Sequence, residues 1–209
     1  MTSDILTPLL DWLDLAGVAI FALTGALVAA REQQTFVTMA FFALLTGVGG
    51  GTVRDLLIGA PVFWMTDPWV AAVCLGVALL AWFTPARWWE GRLLDLADGL
   101  GLTAYAVIGS AKALSYGVPP VPAVLMGVVT GTVGGIIRDV IAGRPSIIMR
   151  PELYVTAAAL ASSIAVAGEM LALPRTWVWV VAASAGFALR SAAIVWNIAL
   201  PAYREPGAR

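Results

Sequence analysis

The stretch TGVGGGTVRDLLIG, from Thr46 to Gly59, returns as TGTVGGIIRDVIAG from Thr130 to Gly143. In each copy an Arg–Asp pair, Arg54–Asp55 or Arg138–Asp139, follows a glycine cluster, Gly49, Gly50 and Gly51 in the first and Gly134 and Gly135 in the second. The match is wider than the motif. Shifting the chain by 84 positions lays residues 9–65 on residues 93–149 without a gap, and pairs Asp14 with Asp98, Gly17 with Gly101, and Gly25 with Gly109. A chain with this pattern is expected to fold as two copies of one unit.

What surrounds the motifs decides the medium. Of 209 residues 60% are hydrophobic and 12% charged, and nine are Trp. That is more apolar surface than a soluble domain of this length can hide. The chain reads as an integral membrane protein of the all-α class. A net charge of −1 argues against a nucleic-acid partner, which calls for a basic surface. With no histidine and with Cys74 alone, an intrachain disulfide or a Cys/His metal site is excluded, and no cofactor is expected. The opening MTSDILTPLLDW lacks the basic stretch and small-residue cleavage site of a signal peptide, so its apolar segment is expected to be retained.

Crossing a hydrocarbon core of about 30 Å takes about 20 helical residues. Seven segments approach that length: Leu9–Ala30, Phe36–Gly59, Trp69–Phe83, Leu94–Leu114, Val121–Ala142, Leu153–Leu173 and Thr176–Leu200. Proline breaks at Pro119, Pro120, Pro122, Pro151 and Pro174 support these boundaries, because proline removes a helix donor. The expected division is residues 1–84 as a first three-helix repeat, 85–174 as a second, and 175–209 as a seventh helix with a tail. Three is odd, so the second unit enters the membrane from the opposite side, an inverted repeat of the kind that places a pathway at the repeat interface. Arg31, Arg87, Arg92, Arg144, Arg150, Arg204 and Arg209 gather on one side, whereas the other holds Arg175 and Lys112. By the positive-inside rule the N-terminus is outside and the C-terminus cytoplasmic.

Glycine costs about 1 kcal/mol relative to alanine inside a helix, so the clusters are expected to kink the second and fifth spans and free carbonyls that can replace part of a cation's hydration shell. The competing reading is close packing, since Gly47 and Gly51 have small-xxx-small spacing. Phosphate cradling is a poor fit, because no Lys-Ser/Thr follows the glycines. Ions in lipid need partners. Neighbouring helical residues point about 100° apart, so Arg54 and Arg138 are expected to bridge to Asp14 and Asp98 rather than to their own aspartates. The alternative for the acidic residues is a structural clamp or a helix cap, as for Asp11 and Asp95. Lys112, near a helix end, either snorkels or borders the pathway, and Arg190, deep in the last span, is expected to pair with an acid of the second repeat or to edge a polar cavity.

Two glycine-rich motifs ending in Arg-Asp, on the second and fifth of seven spans, resemble the prokaryotic trimeric intracellular cation (TRIC) channels, a group also catalogued as membrane proteins with a glycine-transporter domain. The resemblance implies a homotrimer whose protomers each carry a potassium-permeable pore lined by spans one, two, four and five. It also implies kinks at Gly49–Gly51 and at Gly134 and Gly135, with Val133 standing where the first copy has a glycine. The basic lipid-binding signature of the animal members is not found. The reading is a monovalent cation channel of the bacterial inner membrane, not an enzyme, with potassium, membrane lipids and two further copies of the chain as partners. A secondary transporter of a small solute such as glycine is the alternative, since inverted repeats suit alternating access equally well. A scaffold is a third class, which leaves the charges inside both repeats unexplained.

Overall fold

The computed structural model describes residues 3–89 and 92–201, without the side chains of residues 3–13, 86, 87 and 93. The side chains of Asp11, Arg87, Arg204 and Arg209, invoked above, lie outside the described residues. Among the described residues eight α-helices follow one another: α1 (Ser3–Arg31), α2 (Phe36–Leu57), α3 (Phe63–Thr66), α4 (Pro68–Phe83), α5 (Arg92–Ser115), α6 (Pro120–Ile141), α7 (Val155–Met170) and α8 (Arg175–Trp196). Each of the seven expected segments has its helix, and α3 is a single turn inside the loop before α4. Residues 14–31 of α1, together with α2, α6 and α8, are long and apolar enough to cross a membrane. The helices α4 and α7 are apolar but only 16 residues long, and α5 carries Arg92, Asp95, Asp98 and Lys112.

Local chemistry sets the boundaries. Thr35 caps α2 by accepting from the Thr38 amide, and Asp67 accepts from the Trp69 amide at the start of α4, with Pro68 in the first turn, where its missing N–H costs nothing. The ends of α2 and α6 are the same structure twice. Gly59 and Gly143 adopt left-handed backbone (φ 68° and 64°), and the amides of Ala60 and Arg144 return to the carbonyls of Asp55 and Asp139. This is the Schellman stop, which satisfies carbonyls the helix leaves open and for which glycine is the suitable residue.

The packing of the two halves runs in parallel. Helix α1 lies on α2 and α4, as α5 lies on α6 and α7, and α2 meets α6 along the middle; α8 packs mainly on α5 and α7. Small side chains fill the interior, among them Ala22, Ala26, Ala43, Ala106, Ala157 and Ala161, while Phe41, Leu79, Trp82, Leu125, Val140 and Trp177 face outward. An apolar exterior over an alanine-rich interior suits lipid, where close backbone packing rather than a hydrophobic driving force joins helices.

Candidate functional site

The helix runs unbroken through Gly47–Gly51 in α2 and through Gly131–Gly135 in α6. Neither hydrogen-bond ladder is interrupted at the glycines, and several of them lie at close helix contacts. A Cβ on Gly50 would run into the Thr130 carbonyl oxygen, and one on Gly134 into that of Thr46. Gly49 lies against the Gly134 Cα, and a Cβ on Gly51 would meet the Phe63 ring at 2.6 Å. Gly135, by contrast, has only ordinary contacts, with the Tyr154 hydroxyl at 3.6 Å.

Some of the close glycine contacts are reciprocal under the 84-residue shift. Gly50 against Thr130 becomes Gly134 against Thr46. Gly17 abuts the Tyr105 ring, and Gly101 abuts Phe21, whose shifted partner is Tyr105. Phe21 and Tyr105 also touch each other edge to face, with centroids 5.5 Å apart. Between α1, α2, α5 and α6 lies a gap lined by four such pairs, Phe21/Tyr105, Thr46/Thr130, Gly47/Gly131 and Gly50/Gly134, together with Gly51, and it admits no water molecule. The Thr46 and Thr130 hydroxyls donate to the carbonyls of Phe42 (2.7 Å) and Met126 (2.6 Å), so their lone pairs remain available as acceptors.

An ionic cluster flanks each end of the gap. The expectation that an Arg could not reach its own neighbouring Asp is overturned: Arg54 Nε lies 2.8 Å from Asp55 Oδ1, and Arg138 Nε lies 2.9 Å from Asp139 Oδ1. The Cβ directions do diverge, but the guanidinium sits at the end of a long flexible stem and folds back across the helix end. What fixes each aspartate is the loop that follows it, since Oδ2 of Asp55 accepts from the Phe63 amide and Oδ2 of Asp139 from the Ile147 amide, both at 3.0 Å.

From there the clusters differ. At the Asp55 end Lys112 does not snorkel away; its Nζ lies 2.8 Å from Asp55 Oδ1, and Arg54 also stands 5.9 Å from the Phe63 ring centroid. Asp14 is tied to the same region through its carbonyl, which accepts from the Tyr105 hydroxyl at 2.8 Å. At the Asp139 end Arg138 donates to Thr24 of α1 at 3.0 Å. Asp98 has Tyr154, Arg138 and Arg190 as neighbours, without a direct bridge to Arg138. Arg190, 5% exposed, meets Glu152 Oε2 at 2.8 Å and lies 5.2 Å above the Tyr154 ring, so it does find an acid between the second motif and α7. Thr46, Thr130, Phe21 and Tyr105 went unremarked as site residues from sequence, although the 84-residue register already pairs them; nothing in the sequence singles out Thr24, Glu152 or Tyr154.

The family model described as "Glycine transporter" matches the chain twice, over residues 11–86 and 95–170. The UPF0126 membrane protein of Vibrio cholerae is 34% identical over 94% of this chain and 84% of its own length. The UPF0126 inner membrane protein YadS of Escherichia coli (strain K12) is 34% identical over 93% of this chain and 96% of its own. Among solved structures, the TRIC trimeric intracellular cation channel orthologue from Rhodobacter sphaeroides superposes with a TM-score of 0.82 at 41% identity, covering 90% of this chain and 97% of that one. A second TRIC cation channel structure superposes at 0.85 with 26% identity, covering 95% and 98%. With its duplicated motif, its matching helix ends and these likenesses, the chain belongs to the glycine-transporter family of UPF0126 membrane proteins and has the fold of the prokaryotic TRIC channels.

Proposed function

We propose that the protein is a monovalent, potassium-permeable cation channel of the inner membrane, with one pathway in each protomer running between two inverted three-helix units. The carrying observation is the closed central gap, lined by threonine and glycine pairs from both halves and flanked by the Arg54–Asp55–Lys112 and Arg138–Asp139 clusters. Hydroxyl and carbonyl oxygens there suit a partly dehydrated monovalent cation, and the ionic clusters set the local field at each end: Arg138–Asp139 is a neutral pair, whereas Arg54 and Lys112 share the single carboxylate of Asp55, and neither cluster offers the excess negative charge that would hold the ion. In this reading the contact of α2 with α6 at Gly50 and Gly134 is the shut state, and conduction requires those helices to part. The gap is built within one chain, so a homotrimer carries three such pathways. Lipid surrounds them, the N-terminus is outside and the C-terminus cytoplasmic, as the arginine distribution requires. The domain reading is residues 1–84 and 85–174 as the repeats and 175–209 as the added α8 with its tail, supported by the parallel packing and the reciprocal contacts.

A second reading, a secondary transporter of glycine or a similar small solute, draws on the description of the matching family model. Planar-bilayer recording of the purified protein in asymmetric KCl separates the two. Unitary currents reversing near the potassium equilibrium potential are expected. A silent bilayer together with saturable glycine uptake into liposomes would replace the channel with the transporter.

A further inference from the structure

A second cavity, of about 320 Å³, lies away from the central gap, at the turn between α1 and α2 and beside the end of α6. Its wall divides by chemistry. Ala29, Phe42, Ile141 and Ala142 make an apolar side, and Glu32, Gln34 and Thr38 a polar one. The polar groups are predominantly acceptors with capacity to spare. Arg144 binds Glu32 through Nε and Nη2, and both contacts fall on Oε1, leaving Oε2 open among the described residues. Gln34 donates one of its two amide N–H groups to the Glu32 carbonyl, and its Oε1 is a further acceptor. Thr38 Oγ1 shares one hydrogen bond with Thr35 and keeps a lone pair. The 84-residue shift places Tyr116, Val118 and Pro122 opposite these three, so the site has no counterpart in the other half.

We propose that this cavity binds a small organic cation bearing a primary ammonium group on a short alkyl stem. An ammonium has three N–H donors, no acceptor and one positive charge, which matches one carboxylate oxygen and two neutral acceptors; the stem lies on Phe42, Ile141 and Ala142. The volume falls within the range of small-molecule sites. Position adds a consequence that rests on the channel reading. Phe42 is one helical turn before Thr46, whose hydroxyl it accepts, so an occupant sits about 6 Å along α2 from the central gap and would obstruct it from this side only.

The test is calorimetric titration of n-butylammonium chloride into the purified full-length protein, which reads binding whether or not the chain conducts. Saturable binding is expected, weakened at least about tenfold in Glu32→Gln by loss of the charge-assisted contact. In Arg144→Gln, which removes the bridge but leaves the carboxylate, affinity should be unchanged or higher. Thr38→Val, which keeps both charges, should weaken binding about three- to tenfold. No saturable heat, or binding indifferent to Glu32→Gln and Thr38→Val, would overturn the site. An equal loss in Glu32→Gln and Arg144→Gln would also overturn it, because the intact bridge rather than the carboxylate would then be responsible. In bilayers that conduct, block from one face alone is expected, and equal block from both faces would refute the placement.

Discussion

Replacing Gly50 or Gly134 by alanine sets a methyl group against the backbone carbonyl of the facing helix, Thr130 O or Thr46 O. A backbone oxygen cannot swing aside as a side-chain tip can, so α2 and α6 must separate or the closed packing must strain. Overpacking of this kind costs about 1–3 kcal/mol, while alanine adds about 1 kcal/mol of helix preference wherever the helix persists. If conduction requires α2 and α6 to part, the parted state escapes the clash and keeps the helical gain. The closed-to-open equilibrium then moves by the clash term alone, about 5- to 150-fold towards open. Single-channel recording should show a higher open probability in Gly50→Ala and in Gly134→Ala at unchanged unitary conductance. Gly135→Ala, whose Cβ would meet only ordinary contacts at 3.6 and 3.7 Å, and Gly76→Ala, with open space around it, are the controls and should leave gating alone. Unchanged or lower open probability in both helix-contact variants, with the protein folded, would refute the assignment of this contact as the shut gate.

Three further outcomes are expected. Asp55→Asn leaves the buried Arg54 and the half-buried Lys112 against a neutral amide and should lower stability by about 3–5 kcal/mol, read as a fall in the thermal unfolding midpoint. Asp139→Asn, with a single cation on its carboxylate, should cost less in the same assay. Tyr105→Phe removes the hydroxyl donated to Asp14 O and recreates the residue found at position 21, so it should cost only about 1 kcal/mol in unfolding experiments. Cys74, with no exposed surface, should resist maleimide labelling until the protein is denatured.

The helix order was legible in the sequence because membrane spans announce themselves by length and by proline breaks, and the boundaries of α2, α4 and α6 fall within two residues of expectation. The 84-residue register was legible too, and it carried more than was taken from it. Reading Thr46 against Thr130 and Phe21 against Tyr105 was possible from the same alignment that paired the aspartates. The ion pairing was misjudged for a specific reason. Angular separation at Cβ decides contact for short side chains, whereas an arginine at a helix end is governed by reach and by where a loop amide has fixed the carboxylate. The Phe63 and Ile147 amides that do the fixing leave no side-chain signature. The glycine clusters admit two readings in the sequence, a weak point in a helix and a small-xxx-small packing face. Their role depends on what lies across the interface, which a single strand of sequence does not display. Tyr154 and Glu152 were unreadable for a similar reason, since their partners Asp98 and Arg190 come from helices distant in the chain.

The two ends of the gap share a plan and depart from it at places that include Lys112, where the shift demands Val28, Thr24, where it demands Ile108, and Tyr154, where it demands Val70. A pathway whose halves were equivalent under a twofold operation would have identical energy profiles from either face and, in symmetric salt, a current–voltage curve unchanged by inversion through the origin. Any rectification in such a pathway must therefore originate in the unlike pairs and in the added α8, not in the plan that the two halves share.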